Sequence, residues 1–223
     1  MVGTSGVFIV SRLLLLASFT LLSTSAGNLT DVARDSGNEN TWELLENAEG
    51  VKIYYRWVDV SENVRVRERK AEIIVHSSLE KSLKMVTDVE LISSWMSGIK
   101  KTMILHRDHA EKWYTYMLYG LPWPFNDREI ITLNTLSYSA KRDKVFLRMQ
   151  SSDEGYPPAR GVERLTHYKA SWELFEVKPG LTRMVFIARS EDPPAFPRCV
   201  QDPVIKKVFY RNMLSLKELL TPQ

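Results

Sequence analysis

The order of periodicities along this chain constrains its fold more than any other feature. From residue 51 to residue 190 almost every segment follows the two-residue repeat of a half-buried strand, and the chain then closes on one long amphipathic helix. In 51–58, Val51, Ile53, Tyr55 and Trp57 alternate with Lys52, Tyr54 and Arg56, and a turn of Asp59, Ser61, Glu62 and Asn63 leads into a second strand over 64–75. Strand character returns over 102–106, 111–119, 128–139, 144–151, 162–177 and 182–190, with turn chemistry at Arg142-Asp143 and Pro179-Gly180. The links are short, so the strands pair mainly as antiparallel hairpins.

Three helical signals interrupt this pattern before the last helix. Thr41 precedes a short amphipathic stretch, 42–45, whose helix is expected to stop at Gly50. Ser77 and Glu80 form a capping box ahead of Leu79, Leu83 and Val86. Thr87 and Glu90 repeat it for a helix through Leu91, Ile92 and Trp95, ending at Gly98. After a Pro-rich link over 192–197, Asp202 reads as an N-cap with Pro203 at the first helical position, and the terminal helix runs to about Leu220. Ile205, Val208, Phe209, Asn212, Leu216 and Leu219 share one face of it, and Lys206, Lys207, Arg211, Lys217 and Glu218 the other. The fold class is α+β: a curved antiparallel sheet around a C-terminal helix. One helix cannot fill the trough of seven or eight strands, so an internal apolar cavity is expected.

Composition removes several function classes. A net charge of +3 without any long basic block gives no footprint for nucleic acid. The single cysteine, Cys199, removes a disulfide framework and any Cys-based zinc site. The ten glycines hold no phosphate-cradling spacing, so no nucleotide cofactor is expected. The run His106-Arg-Asp-His109 is read as a solvated turn and not a metal site.

The front of the chain is a separate matter. Residues 13–22 form an apolar run of ten after Arg12, followed by Ser23-Thr24-Ser25-Ala26-Gly27, the pattern of a signal peptide over 1–26 with Thr24 and Ala26 preceding the cut. Ten helical residues rise only about 15 Å, half the hydrocarbon thickness. Export to the periplasm or the exterior is therefore expected; the alternative is an uncleaved anchor. Residues 27–40 are polar and read as a loose leader, which leaves 41–223 as the folded domain.

The run Gly120-Leu121-Pro122-Trp123-Pro124-Phe125-Asn126-Asp127-Arg128-Glu129-Ile130 resembles the aromatic-proline and arginine-acid element of the steroidogenic acute regulatory protein-related lipid-transfer (START) domains. Gly161-Val162-Glu163-Arg164 before Tyr168-Lys169, and the segment 91–95, agree in order and spacing. The resemblance covers roughly Thr41 to Leu220 and implies a helix-grip architecture whose tunnel holds one lipid, without catalysis for most members. The headgroup does not carry over. Where the phosphatidylcholine-binding type grips its ligand, this chain has Met117, Ile92, Tyr168 and Ala170, so only the tyrosine survives; the buried arginine of the sterol-binding type is replaced by Asn134.

Strand alternation points Met117 and Tyr119, Ile130, Thr132 and Asn134, and Tyr168 and Trp172 inward. With Val208, Phe209, Asn212 and Leu216 of the helix, these are the candidate ligand contacts, although packing alone also accounts for such residues. Asn212 lies in the apolar stripe and needs a partner, either a protein group or a ligand headgroup; the same two readings hold for Asn134. Asp127 and Arg128 are read as a pair that fixes the turn after the Pro-Trp-Pro corner. The expectation is a monomeric carrier of one hydrophobic molecule, with transient membrane contact, no cofactor and no catalytic residue. Its rivals are a cyclase-like enzyme, for which Glu163, Tyr168 and Arg189 are conceivable acid–base groups, and a ligand sensor for a protein partner.

Overall fold

The computed structural model describes residues 41–62, 64–120, 126–153, 155–192 and 197–221 of the 223. Strands β1 (Glu43–Ala48), β2 (Val51–Ser61) and β3 (Val64–Val75) form a meander, followed by helices α1 (Leu79–Thr87) and α2 (Val89–Trp95). Then come β4 (Ile99–His109), β5 (Lys112–Tyr119), β6 (Arg128–Tyr138), β7 (Lys144–Ser151), β8 (Glu163–Leu165), β9 (Tyr168–Lys178) and β10 (Leu181–Ser190), and the chain closes on α3 (Arg198–Leu220). All belong to one sheet of order β1-β2-β3-β10-β9-β7-β6-β5-β4, with β8 attached beside β6. The two meanders join where β10 pairs with β3, from Thr182 opposite Val75 to Ala188 opposite Arg69. The fold class and its helix-grip arrangement are those expected from the sequence.

The inner face carries the core. Val51 and Ile53 of β2, Ala71, Ile73 and Val75 of β3, Val145 and Leu147 of β7, Leu174 of β9 and Met184 of β10 are almost fully buried with Met213, Leu216 and Leu220 of α3. Each such side chain contributes about 1.5–3 kcal/mol by leaving water, except the small alanine. The outer face is polar. Glu68 accepts from Arg56 at 2.6 Å and from Arg189 at 3.0 Å, and Arg189 reaches Glu191 at 3.2 Å, so one ladder of charges crosses three strands.

Several local expectations are overturned. The stretch 42–45 begins an edge strand, not a helix: β1 pairs with β2 from Glu43 opposite Tyr55 to Ala48 opposite Val51. So short a helix cannot repay its nucleation, whereas the exposed edge of β2 offers ready partners. Leu44 is 54% exposed, and Trp42 instead lies under the Arg56 guanidinium, 4.4 Å from the ring centre. Both short helices are capped one residue later than the boxes suggest. Ser78 accepts from the Lys81 amide and Asp88 from the Glu90 amide, while Thr87 spends its hydroxyl on the Leu83 carbonyl.

The segment 162–177 divides at Thr166-His167, which are held by Asp192, and its first part pairs parallel to β6, against the antiparallel expectation. His106 to His109 continue β4 and are not a turn; Asp108 holds Lys112 at 2.7 Å. Helix α3 begins at Arg198, five residues early, so Cys199 lies in its first turn instead of in a link and Pro203 lies inside the helix. Asp202 does not cap it. Its carboxylate receives Arg67 and, at 2.8 Å, Arg69 of β3, a pairing that can be found only once the helix lies across the sheet. Leu219 is 48% exposed, and Leu220 and Met213 take the inward places. Gly98 ends the α2 region as expected: at φ +81°, a Cβ there would meet the Gly120 carbonyl at 2.4 Å. The expected signal peptide over 1–26, the expected leader over 27–40 and the corner residues 121–125 lie outside the described residues.

One buried acid secures the loop that follows β7. Glu129, on the outer face of β6, is fully buried and accepts from Tyr116 Oη at 2.8 Å, Arg164 Nε at 2.9 Å and the Ala159 amide at 3.1 Å. Arg164 in turn donates to the Tyr156 carbonyl at 2.7 Å. Glu129→Leu leaves that guanidinium without its counter-ion, and a loss of about 3–5 kcal/mol is expected from urea unfolding. A loss below about 1 kcal/mol would refute the latch.

Candidate functional site

A cavity of about 290 Å³ lies between the inner face of the sheet, α1–α2 and the inner stripe of α3. Its position follows from how the aromatic residues pack. Trp172 of β9 stacks on Phe186 of β10 with ring centres 4.6 Å apart, and Phe186 meets Phe209 of α3 at 5.6 Å. Trp95 of α2 approaches Trp172 edge-on at 6.1 Å, and its indole N–H donates to the Met85 carbonyl at 2.9 Å. These four rings link α2, the sheet and α3 while standing them apart. The space left on their β5–β6 side is the cavity.

Nine of the ten candidate contacts line it: Met117, Tyr119, Ile130, Asn134, Tyr168, Trp172, Val208, Phe209 and Asn212. Thr132 lines it as well. Leu216 does not. One turn beyond Asn212, it is wholly buried in the core between helix and sheet. Residues not named as candidate contacts also contribute, among them Val86, Val89 and Met96 of the α1–α2 region, Arg69 of β3 and Gln201 of α3. The stripe Leu79, Leu83, Val86 was the available signal for the first of these. For Arg69 there was none, because a charged residue on an inward strand position becomes readable only when its counter-ion Asp202 is placed.

Of the two open readings for each amide, the structure shows the protein partner. Asn212 Oδ1 accepts from the Ser97 amide at 3.0 Å and the Ser97 hydroxyl at 2.9 Å, so its partner is a protein group and it fastens α3 to the residues after α2. Asn134 Nδ2 donates to Thr115 Oγ1 at 3.0 Å, the Thr132 carbonyl at 3.1 Å and the Trp113 carbonyl at 3.2 Å. Both amides are therefore engaged within the wall. The expected pairing of Asp127 with Arg128 is not made: Asp127 holds Lys100 at 2.5 Å, and Arg128 pairs with Glu163 at 3.2 Å. Adjacent side chains on a strand point to opposite faces, which separates the two. Arg189 donates to Glu68 in the outer ladder, and Glu163 is bound to Arg128.

Register fixes which lining groups share an end. Tyr119 sits opposite Arg128 and Tyr168 opposite Ser190, while Arg69 faces Ala188 across the β3–β10 joint. Gln201, near the start of α3, lines the same cavity, as do the aromatic residues Trp95, Trp113, Trp172, Phe186 and Phe209. Burial raises the Tyr119 phenol to about 12 and the Tyr168 phenol further, with Tyr119 a second contributor to the latter. Burial lowers Arg69, and the adjacent Asp202 opposes that shift.

Raised tyrosines have a defined consequence. An unfolded phenol releases its proton near its model value of 10.0, before the folded Tyr119 does. The folded chain thus holds more protons between about 10 and 12, and stability falls as pH rises through that window. Tyr116, raised to about 12 by burial and its bond to Glu129, acts in the same sense. Alkaline titration of tyrosinate absorbance should show a late-ionising group that loses one member in Tyr119→Phe. An unchanged late group would refute the burial of this phenol.

No protein-family model and no curated protein sequence matches this chain. Solved structures do. A STAR-related lipid transfer protein from Xanthomonas axonopodis superposes with a TM-score of 0.71 at 19% identity, covering 81% of this chain and 99% of that one. Human StAR-related lipid transfer protein 5 gives 0.71 at 16% identity, over 84% and 88% of the two chains. The Zhui aromatase/cyclase of a Streptomyces species is more distant, with a TM-score of 0.50 at 11% identity over 70% of this chain and 93% of that one. A curved sheet of ten strands closed by α3, superposable on lipid-transfer domains over more than four-fifths of its length, has the START-like helix-grip fold.

Proposed function

We propose that this protein binds a single lipid or comparable hydrophobic molecule in the cavity beneath α3 and carries it. The observation behind this reading is the cavity itself: an apolar space walled by Trp113, Met117, Met149, Trp172, Phe186 and Phe209, with a helix as its cover. Each buried methylene of a guest contributes about 0.8 kcal/mol, so contact with such walls supplies affinity without a dedicated headgroup site. The likeness to proteins described as lipid transfer proteins points the same way. Export belongs to the proposal too, on the strength of the apolar run 13–22 and the small residues after it. So does a monomeric carrier in transient contact with a membrane.

The likeness to an aromatase/cyclase raises the rival reading, a reaction chamber. The lining favours binding over that alternative. The titratable residues of its lining, among those described, are Arg69, Arg128, Tyr119, Tyr168 and Arg189, the last with its side chain in the outer ladder. Arginine stays protonated at neutral pH, and both phenols are displaced upward, away from the range where a general acid or base works.

Organic extraction of the purified protein followed by mass spectrometry should yield one hydrophobic molecule per chain. A chemically altered product released on turnover would favour the enzyme. Phe209→Asp places a charge against Phe186 and should abolish loading with folding retained, whereas Lys207→Glu on the exposed side of α3 should not. Equal loss in both would overturn the role of α3 as cover. Sequencing of the exported product should find its first residue near Gly27.

A further inference from the structure

The cavity beneath α3 has a neighbour. A second hollow, of about 330 Å³, lies between the α1–α2 junction and the strands β4 and β5, and Thr87, Val89 and Trp113 line both spaces. These three residues are the partition between them. Thr87 and Val89 form its helical side, where the Thr87 hydroxyl donates to the Leu83 carbonyl at 2.9 Å and the Val89 carbonyl accepts from the Thr102 hydroxyl at 2.8 Å. Trp113 forms its sheet side and is only 3% exposed.

The strand directs this ring. Thr115, Met117 and Tyr119 follow Trp113 at two-residue steps and line the cavity, so the indole stands on the same inner face. The Trp113 backbone lies between Arg107 and Asn134 in register, and its carbonyl accepts from Asn134 Nδ2 at 3.2 Å. The guanidinium of Arg107, which lines the second hollow, lies 5.4 Å from the ring centre. Beyond the ring, Ile104 and Leu136 continue the apolar wall, while Lys84, Arg107 and Ala110 are exposed, so the second hollow opens to solvent. A hydrocarbon chain gains about fourfold in affinity for each methylene it buries, and the gain ends where the chain meets a wall. The cavity itself, at about 290 Å³, is at the small end of ligand sites. Resting on the carrier reading, we propose that Trp113 is the wall that sets the longest chain the cavity accepts, and that the second hollow is the space a longer chain enters once the ring is removed.

The test is displacement of a fluorescent apolar probe from the full chain by straight-chain primary alcohols from octanol to hexadecanol. Affinity for the native protein should rise about fourfold per added carbon up to one length and then level off. Trp113→Ala should move that limit by about two carbons or more, so that an alcohol two carbons past the native limit binds about tenfold more tightly than it does to the native protein. Trp113→Leu should move it the same way by less. Val89→Ala thins the partition from the helical side with a smaller loss of packing and should move the limit by about one carbon, which also serves if neither Trp113 variant folds. Iodide quenching of the bound probe should rise in Trp113→Ala, because the opened partition joins the cavity to the solvent-facing hollow beside Lys84 and Arg107. An affinity that climbs to hexadecanol without a limit, a limit that stays in place in every folded variant, an equal change at all lengths, or quenching that does not rise would overturn the role of Trp113 and leave the carrier reading standing. Failure of the probe and of every alcohol to bind the native protein would overturn both.

Discussion

The width of the sheet relative to the one helix that covers it decides most of this structure. Nine strands in sequence across the sheet leave eight gaps of about 4.8 Å, close to 38 Å of surface, while a helix with its side chains is about 10–12 Å across. Curling the sheet reduces the mismatch but does not remove it. Along the β2–β3 side, Met213, Leu216 and Leu220 meet Ile53, Ile73 and Val75 and close the gap as an ordinary core. On the β5–β6 side the helix does not reach, and the aromatic column of Trp95, Trp172, Phe186 and Phe209 keeps the layers apart. The hollow is a geometric remainder of that mismatch.

A hollow of this kind persists only if its cover is held in place by something other than its own contents. Two polar attachments do so. At one end of α3, Asp202 joins it to Arg67 and Arg69 of β3; further along, Asn212 joins it to the backbone and hydroxyl of Ser97. Both are specific in geometry and only partly exposed, so they fix the height and rotation of the helix more than they add net stability. Apolar contact can slide, whereas a carboxylate shared between two guanidiniums cannot move far without leaving charges unpaired.

How much of this could be read beforehand differs between elements. The alternation of Val51, Ile53, Tyr55 and Trp57 placed β2 correctly because a half-buried strand imprints its period on the sequence. The stretch from Trp42 failed for the opposite reason: Leu44 and Leu45 stay exposed on an edge strand, so their pattern carried no burial information. The lining was legible wherever alternation applied, from Met117 and Tyr119 to Tyr168 and Trp172. It was illegible at Gln201, whose inward position depends on the placement of α3, and at Arg69, whose charge is accounted for only by Asp202 of that helix. Asp202 misled for the same reason. Aspartate followed by proline is a sound helix-start signal, but here two arginines from a distant strand compete for that carboxylate and win.

The sequence by itself determined the class of fold: strand periods, turn residues and one amphipathic helix leave an antiparallel sheet with a helical cover as the arrangement that buries every apolar face. It also determined which side chains of the strands face inward, since the two-residue repeat admits no other choice once one face is buried. Tertiary structure alone decided where the space remains and that Asn134 and Asn212 are satisfied by the wall. The reason is physical. Periodicity is local and records only whether a side chain is buried; the partner of a buried polar atom is set by tertiary packing, across the β5–β6 pair for Asn134 and, for Asn212, when the helix docks against Ser97 more than a hundred residues away.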